Sequence, residues 1–239
     1  MGPSPKVIEY FQSQSCSSCP PTTNNFTRLL PARAADPTAK SPATDTPISA
    51  PSRSSEHIFL SYHVPYHNHL DWTDTFAHSS FENRQHDYVK RLDLGGLYTP
   101  MVVADGVVAG TGINEGELKQ LLARPSASER VRIEVDADEG DSNDQEVMIS
   151  LERTAVVGDL EVFLVEYDPA VVETEVTSGE NEGRVLRDWN VVRRLERIGF
   201  LSEEEDNAAL LTEKKSRTTD HVVLVQEGEG GPVVGVLSL

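Results

Sequence analysis

The stretch that decides the reading of this chain is Val7-Ile8-Glu9-Tyr10-Phe11-Gln12-Ser13-Gln14-Ser15-Cys16-Ser17-Ser18-Cys19-Pro20-Pro21. An apolar run over residues 6–13 reads as a buried strand and feeds a turn that holds the only two cysteines of the chain. After the turn, Pro20 and Pro21 suit a first helical turn, and Phe26, Leu29 and Leu30 share a face. Thr22–Leu30 is therefore expected to be helical, with Pro31 ending or kinking it. A C-x-x-C at a strand-to-helix turn puts its first thiol where backbone N–H groups and the helix dipole stabilise a thiolate. The second thiol is then close enough to resolve a mixed disulfide. Cys16 is expected to attack and Cys19 to resolve.

Working outward, 24 residues rich in Pro, Ala, Ser and Thr (32–55) carry no periodicity and no aromatic residue. Such a segment buries too little apolar surface to offset its ordering entropy and reads as a disordered insertion. His57–Val64 reads as a second strand. Ser79 and Glu82 have capping-box spacing and open a helix that runs to Leu92, with Phe81, Tyr88 and Leu92 on one face. Tyr98-Thr99-Pro100 leads into a strand, Met101–Ala104. Asp105-Gly106 is a hairpin signal returning through Val107–Ala109. Asn114 caps a last helix, Glu115–Arg124, closed by Pro125. The order β-α-β-α-β-β-α is that of the thioredoxin topology, in which Pro100 is expected to be cis and to face the thiols.

Past Ser126 the pattern changes. Alternating segments around Val131–Val135, Val147–Leu151 and Val162–Leu164, with Val171-Val172, His221–Val225 and Val233–Leu237, suggest an all-β sandwich. Asn190–Gly199 fits helix or strand, and the charged stretch 201–219 reads as a loop or short exposed helix. The expected fold is thus an α/β thioredoxin-like domain, 1–125, followed by an acidic, mainly β domain, 126–239.

Charge supports that division. The chain carries net charge −18, with ten Lys/Arg against twelve Asp/Glu up to residue 125 and eleven against twenty-seven beyond it. So acidic a protein is a poor partner for nucleic acid or an anionic membrane. No apolar run approaches the ~20 residues of a membrane helix. Met-Gly-Pro-Ser-Pro-Lys enters the first strand without an apolar leader, so the cytoplasm is the expected compartment. There, two cysteines closing a tiny loop point to redox or metal chemistry, not to a structural disulfide.

A second constellation is His63-Val64-Pro65-Tyr66-His67-Asn68-His69-Leu70-Asp71-Trp72. Three histidines near two cysteines are the donor types of a soft-metal site for zinc or copper. His67 and His69 point to opposite faces of an extended segment, however, so neither a metal nor any other cofactor is expected. His63 or Asp71 is instead a candidate for assisting proton transfer at the thiols. Six residues upstream of Cys16, where a buried acid would serve, stands Tyr10, with Glu9 beside it.

Phe11–Pro21 resembles the opening of a thioredoxin-like family, domain of unknown function 1223. The similarity continues in Tyr62-His63-Val64 with Asp71-Trp72, in Tyr98–Val103, in Gly179–Arg184, in Asn190–Leu195, and in Val223–Gln226 before Gly231–Gly235. The resemblance implies a thioredoxin-like domain followed by a mainly β domain, with the redox pair on Cys16 and Cys19. This chain departs from the family at Pro65-Tyr66-His67-Asn68 and in the 32–55 insertion. The expected activity is thiol–disulfide exchange with a disulfide-bearing protein or small molecule, Pro100, Thr99 and Tyr98 shaping a groove beside His63, Asp71 and Trp72, and an unidentified electron donor resetting the pair. The alternatives are a non-catalytic module binding a protein or soft metal, and a small-molecule enzyme using Cys16.

Overall fold

A computed structural model describes residues 5–29, 57–124, 131–137, 145–155, 158–214 and 219–239. The Pro/Ala/Ser/Thr-rich insertion at 32–55 and the boundary expected at 125–126 lie outside these residues. Strand β1 (Lys6–Gln12) is followed by helix α1 (Cys19–Leu29), strand β2 (His57–His63), a 3-10 turn (Pro65–His67), helix α2 (Ser79–Arg91), strands β3 (Met101–Ala104) and β4 (Val108–Gly110), and helix α3 (Glu115–Ala123). The local signals mostly act as read. Asp105 and Gly106 take φ of 50° and 68°, the pair of positive values a two-residue hairpin turn needs. Asn114 accepts the Gly116 N–H at 2.8 Å and caps α3. The cap of α2 differs from expectation: His78, not Ser79, is the N-cap, because its Nδ1 takes the Ser80 N–H.

The remaining described elements are all strands: β5 (Val131–Ala137), β6 (Gln145–Arg153), β7 (Leu160–Glu175), β8 (Val185–Leu201), β9 (Asn207–Lys214), β10 (Asp220–Glu227) and β11 (Val233–Ser238). Asn190–Gly199 resolves to strand. The stretch expected to be loop or short helix instead holds β9, which pairs antiparallel with β6. Its Ala208 and Leu210 pack on the core with Ile149 and Leu151, an apolar alternation masked by the flanking charges.

The expected fold class is overturned. The chain is mostly β, and no α/β thioredoxin-like unit stands apart from a β domain. Strands of both halves form one mixed eight-stranded sheet, in the order β11-β10-β7-β8-β2-β1-β3-β4, and β5-β6-β9 form a second, three-stranded sheet. The junction is a parallel contact of β2 with β8 at Ser61 and Val191. Asn190, at φ 50°, reinforces it by donating its side-chain N–H to the Phe59 carbonyl at 3.0 Å. Without β8, β2 would be a sheet edge with a row of unpaired backbone groups, which a largely apolar strand cannot leave open.

Alternation along β1 sends neighbouring residues into different cores. Val7 and Phe11 join Tyr62, Phe81, Tyr88 and Met101 beneath α2. Ile8 and Tyr10 join Phe26, Phe59, Leu118 and Trp189 beneath α1 and α3. A third core lies between the small sheet and β7, β10 and β11, so the second half does stack sheet on sheet locally. Each fully buried aromatic or aliphatic side chain contributes about 1.5–3 kcal/mol. Together these cores hold the end of β1, and the turn beyond it, in a fixed place.

Candidate functional site at the start of helix α1

From β1 the chain turns through Ser13-Gln14-Ser15, where the Cys16 N–H bonds the Ser13 carbonyl at 3.0 Å. Cys19 opens α1. The two thiols are reduced, and each is largely covered: Cys16 is 6% exposed and Cys19 2%. Their acidities differ sharply. The Cys16 thiol is lowered to about 6, chiefly by a hydrogen bond from Cys19; burial opposes this, and Thr99 with the Ser18 and Cys19 backbone adds to it. Burial raises Cys19 well above the ordinary thiol value, and its bond to Cys16 raises it further. The arrangement makes an anionic outer sulfur and a protonated inner one.

Facing the pair is the segment before β3. The Thr99–Pro100 peptide bond is cis, as expected for Pro100, and the Thr99 carbonyl lies 3.6 Å from the Cys16 sulfur. The Tyr98 carbonyl is held by the Gln85 side-chain amide at 2.7 Å. The Thr99 hydroxyl lies 2.8 Å from His67 Nε2 on the 3-10 turn.

The other expected participants are set further back. His63 is fully buried with Nδ1 2.7 Å from the Asp74 carboxylate, and Gln12 sits 3.1 Å from its Nε2. Burial disfavours the imidazolium, but Asp74 and then Asp188 outweigh it and raise the His63 pKa. Asp74 also receives the Gln14 N–H at 2.8 Å. His63 therefore braces the loop from below. Asp71 is exposed at φ 61°, and its backbone carbonyl accepts a hydrogen bond from Ser178. Trp72 donates its indole N–H to Gln14 at 3.1 Å, and its carbonyl takes the Ser15 hydroxyl at 2.7 Å. Glu9 points away from the thiols into an ion pair with Arg84, and Tyr10 bonds the Cys19 carbonyl at 3.0 Å.

The same loop is clamped from the turn between β7 and β8. Asn181, wholly buried, donates its amide to the Gln14 carbonyl at 2.8 Å and the Cys16 carbonyl at 3.1 Å, and Arg184 holds its oxygen at 2.9 Å. Glu180 accepts both the N–H of Ser17, at 3.1 Å, and its hydroxyl, at 2.8 Å. Gly179, at φ 78°, lies so close to the Leu70 carbonyl that a Cβ would meet it at 2.4 Å. That contact explains the glycine opening Gly179-Glu180-Asn181.

Comparison with known proteins finds a family model that spans both halves of the chain. The model of a family described as a protein of unknown function (DUF1223) matches residues 7–226, from β1 to the end of β10. The chain belongs to the DUF1223 family. Two solved structures share its fold. One, a crystal structure of a protein from Agrobacterium tumefaciens, is 21% identical with a TM-score of 0.69, covering 100% of this chain and 95% of its own. The other, HBP35 of Porphyromonas gingivalis, is 9% identical with a TM-score of 0.58, covering 100% of this chain and 76% of its own. Among curated proteins, none matches the chain.

Within this DUF1223 chain, sequence reasoning missed Asp74, Gln14, Glu180 and Asn181 as parts of the site. The Gly179–Arg184 match is the signal for the last two: that segment is expected to dock beside the Cys16–Pro100 face, and its Asn181 and Glu180 do meet Cys16 and Ser17. Among the described residues no group of three or more His, Cys, Asp or Glu is arranged to hold a metal ion. Among them, too, no helix is long and apolar enough to cross a membrane.

Proposed function

We propose that this protein is a thiol–disulfide oxidoreductase in which Cys16 attacks and Cys19 resolves. One observation carries the reading: two neighbouring thiols at the start of a helix, one lowered to about 6 and the other raised well above the ordinary value. At neutral pH the outer sulfur is a nucleophile, and the inner one keeps its proton until a mixed disulfide forms. The Cys16 thiolate forms a bond to one substrate sulfur and expels the other as a thiolate. Cys19 then bonds to Cys16 and expels the second substrate sulfur. Two electrons pass from the cysteine pair to the substrate, and a donor thiol returns them by the reverse exchange. Thr99 and Pro100, facing Cys16, border the groove in which a disulfide-bearing protein or small molecule lies.

Mass tagging of free thiols across a glutathione redox series tests this. Both thiols should vanish together as the poise becomes oxidising. Cys19→Ser should accumulate a stable mixed disulfide at Cys16, and Cys16→Ser should form none. Thiols that stay free at every poise would overturn the proposal.

A further inference from the structure

Ser17 follows the nucleophile and is exposed in the turn that opens α1, where backbone N–H groups favour an anion. That position is already taken from within the chain. Glu180 Oε2 accepts the Ser17 N–H at 3.1 Å and its hydroxyl at 2.8 Å. The carboxylate is exposed, and these two donors hold its pKa below the ordinary glutamate value, so it is charged at pH 7. A braced turn fixes its place. The Val176 N–H bonds the Arg184 carbonyl at 2.9 Å, the Gly183 N–H bonds the Val176 carbonyl at 2.8 Å, and the Ser178 hydroxyl bonds the Asp71 carbonyl at 2.5 Å. Little positive charge offsets it. Residues 12–19, 64–78 and 97–100, which pack around the thiols, contain no Lys or Arg. Asp71 and Glu182 are exposed nearby, while Asp74 is matched by His63. Arg184, the only Lys or Arg within 176–184, is drawn to the Asn181 oxygen at 2.9 Å. Burial raises the Tyr66 phenol, and burial with His69 lowers His67 against the pull of Glu180, so both side chains are neutral at pH 7.

We propose that Glu180, seated on Ser17 beside the attacking thiol, makes the exchange selective for disulfides flanked by positive charge. The inference rests on the oxidoreductase reading above and names its substrate class: a disulfide bearing ammonium or guanidinium groups, in a small molecule or in a basic protein segment. The exchange keeps its balance. The Cys16 thiolate bonds one substrate sulfur, the substrate S–S bond breaks, and its electron pair leaves on the other sulfur. A cation beside the reacting sulfur is attracted to the Glu180 carboxylate throughout this step. A carboxylate in the same place is repelled, and it finds the Ser17 N–H already occupied. The net charge of −18 favours cations over the whole surface, so a local role for Glu180 must show above that general field.

The test oxidises the reduced full chain at low ionic strength with three small disulfides of similar length: dicationic cystamine, neutral hydroxyethyl disulfide and dianionic dithiodipropionate. Acid quenching and mass tagging give the second-order rate of Cys16–Cys19 closure, and each charged disulfide is read as a ratio to the neutral one. Comparing variant with wild type cancels the different leaving-group acidities. Glu180→Gln keeps an acceptor for Ser17 and removes only the charge. It should lower the cationic ratio and raise the anionic ratio by about fivefold each, the effect of one charge pair at contact in water. Glu180→Lys should move both ratios further the same way, and salt at about 1 M should erase most of the difference. Glu204→Gln, at an exposed acid of the 203–206 run, should move neither ratio. Peptide disulfides whose cysteines are flanked by Lys, Gly or Glu form a second arm. The same charge order there assigns a basic protein segment, and its restriction to the small series assigns a small cationic disulfide. Ratios unmoved by Glu180→Gln, a uniform change in all three rates, or an equal shift with Glu204→Gln overturns the proposal. A wild-type protein that closes no Cys16–Cys19 disulfide with any of these compounds refutes the oxidoreductase reading itself.

Discussion

Two buried polar networks flank β1, and they are built to opposite ends. Beneath α2, the Glu9 carboxylate takes hydrogen bonds from Arg84 and from the Tyr88 hydroxyl, while Gln226 of β10 touches both Arg84 and Tyr88 at 3.2 Å. Arg84 also stacks over the rings of Tyr88 and Phe163. Charges are matched there, and water is shut out. At the end of the same strand, the thiol pair is left unequal, and the Thr99 carbonyl faces its outer sulfur at 3.6 Å. Closed pairing turns buried charge into an anchor, and unequal pairing leaves a group ready to react. The first network joins α2 to a strand of the other half; the second shows why that joining matters, since Asn181 reaches Cys16 across it.

The comparison breaks most visibly at the anchor. Arg84→Met strands the Glu9 carboxylate in the core and should cost about 3–5 kcal/mol of stability. Urea denaturation measures it, and Cys16 labelling of the folded fraction should stay as in the wild type. A cost below about 1 kcal/mol would show that Glu9 escapes to water or stays protonated. Asn181→Ala comes next. It leaves two buried carbonyls of the thiol loop without their donor and should cost about 1–3 kcal/mol. Unlike Arg84→Met, it should also change the rate at which Cys16 alkylates. An unchanged rate would mean that the β7–β8 turn stabilises the loop without shaping the thiol.

The smallest effect is a pH dependence. Because the Cys16 pKa is lowered to about 6, its thiolate is present at pH 7 and is lost as pH falls through that value. Iodoacetamide labelling should be flat above pH 7 and drop about tenfold for each unit well below 6. Cys19, protonated throughout, should label far more slowly. A Cys16 profile still rising between pH 8 and 9 would erase the contrast between the two networks.

Legibility followed the range of the interactions. By itself the sequence determined the thiol turn and its first helix, the Asp105-Gly106 hairpin, the Asn114 cap, the facing of Thr99-Pro100 and most strands of the second half. Each is a preference of a few consecutive residues for one backbone path, so it is written where it acts. Only the tertiary structure decided that β2 takes β8 as its neighbour and so merges the two halves in one sheet. Any apolar strand offers the same backbone groups along its edge, and no short pattern names the partner. It also decided that Glu9 faces Arg84 and not the thiols, that His63 braces Asp74, that His67 meets Thr99, and that Asn181 holds the Cys16 carbonyl. A side-chain amide gains by meeting any unpaired carbonyl, and which carbonyl comes within 3 Å is set by how the sheet closes.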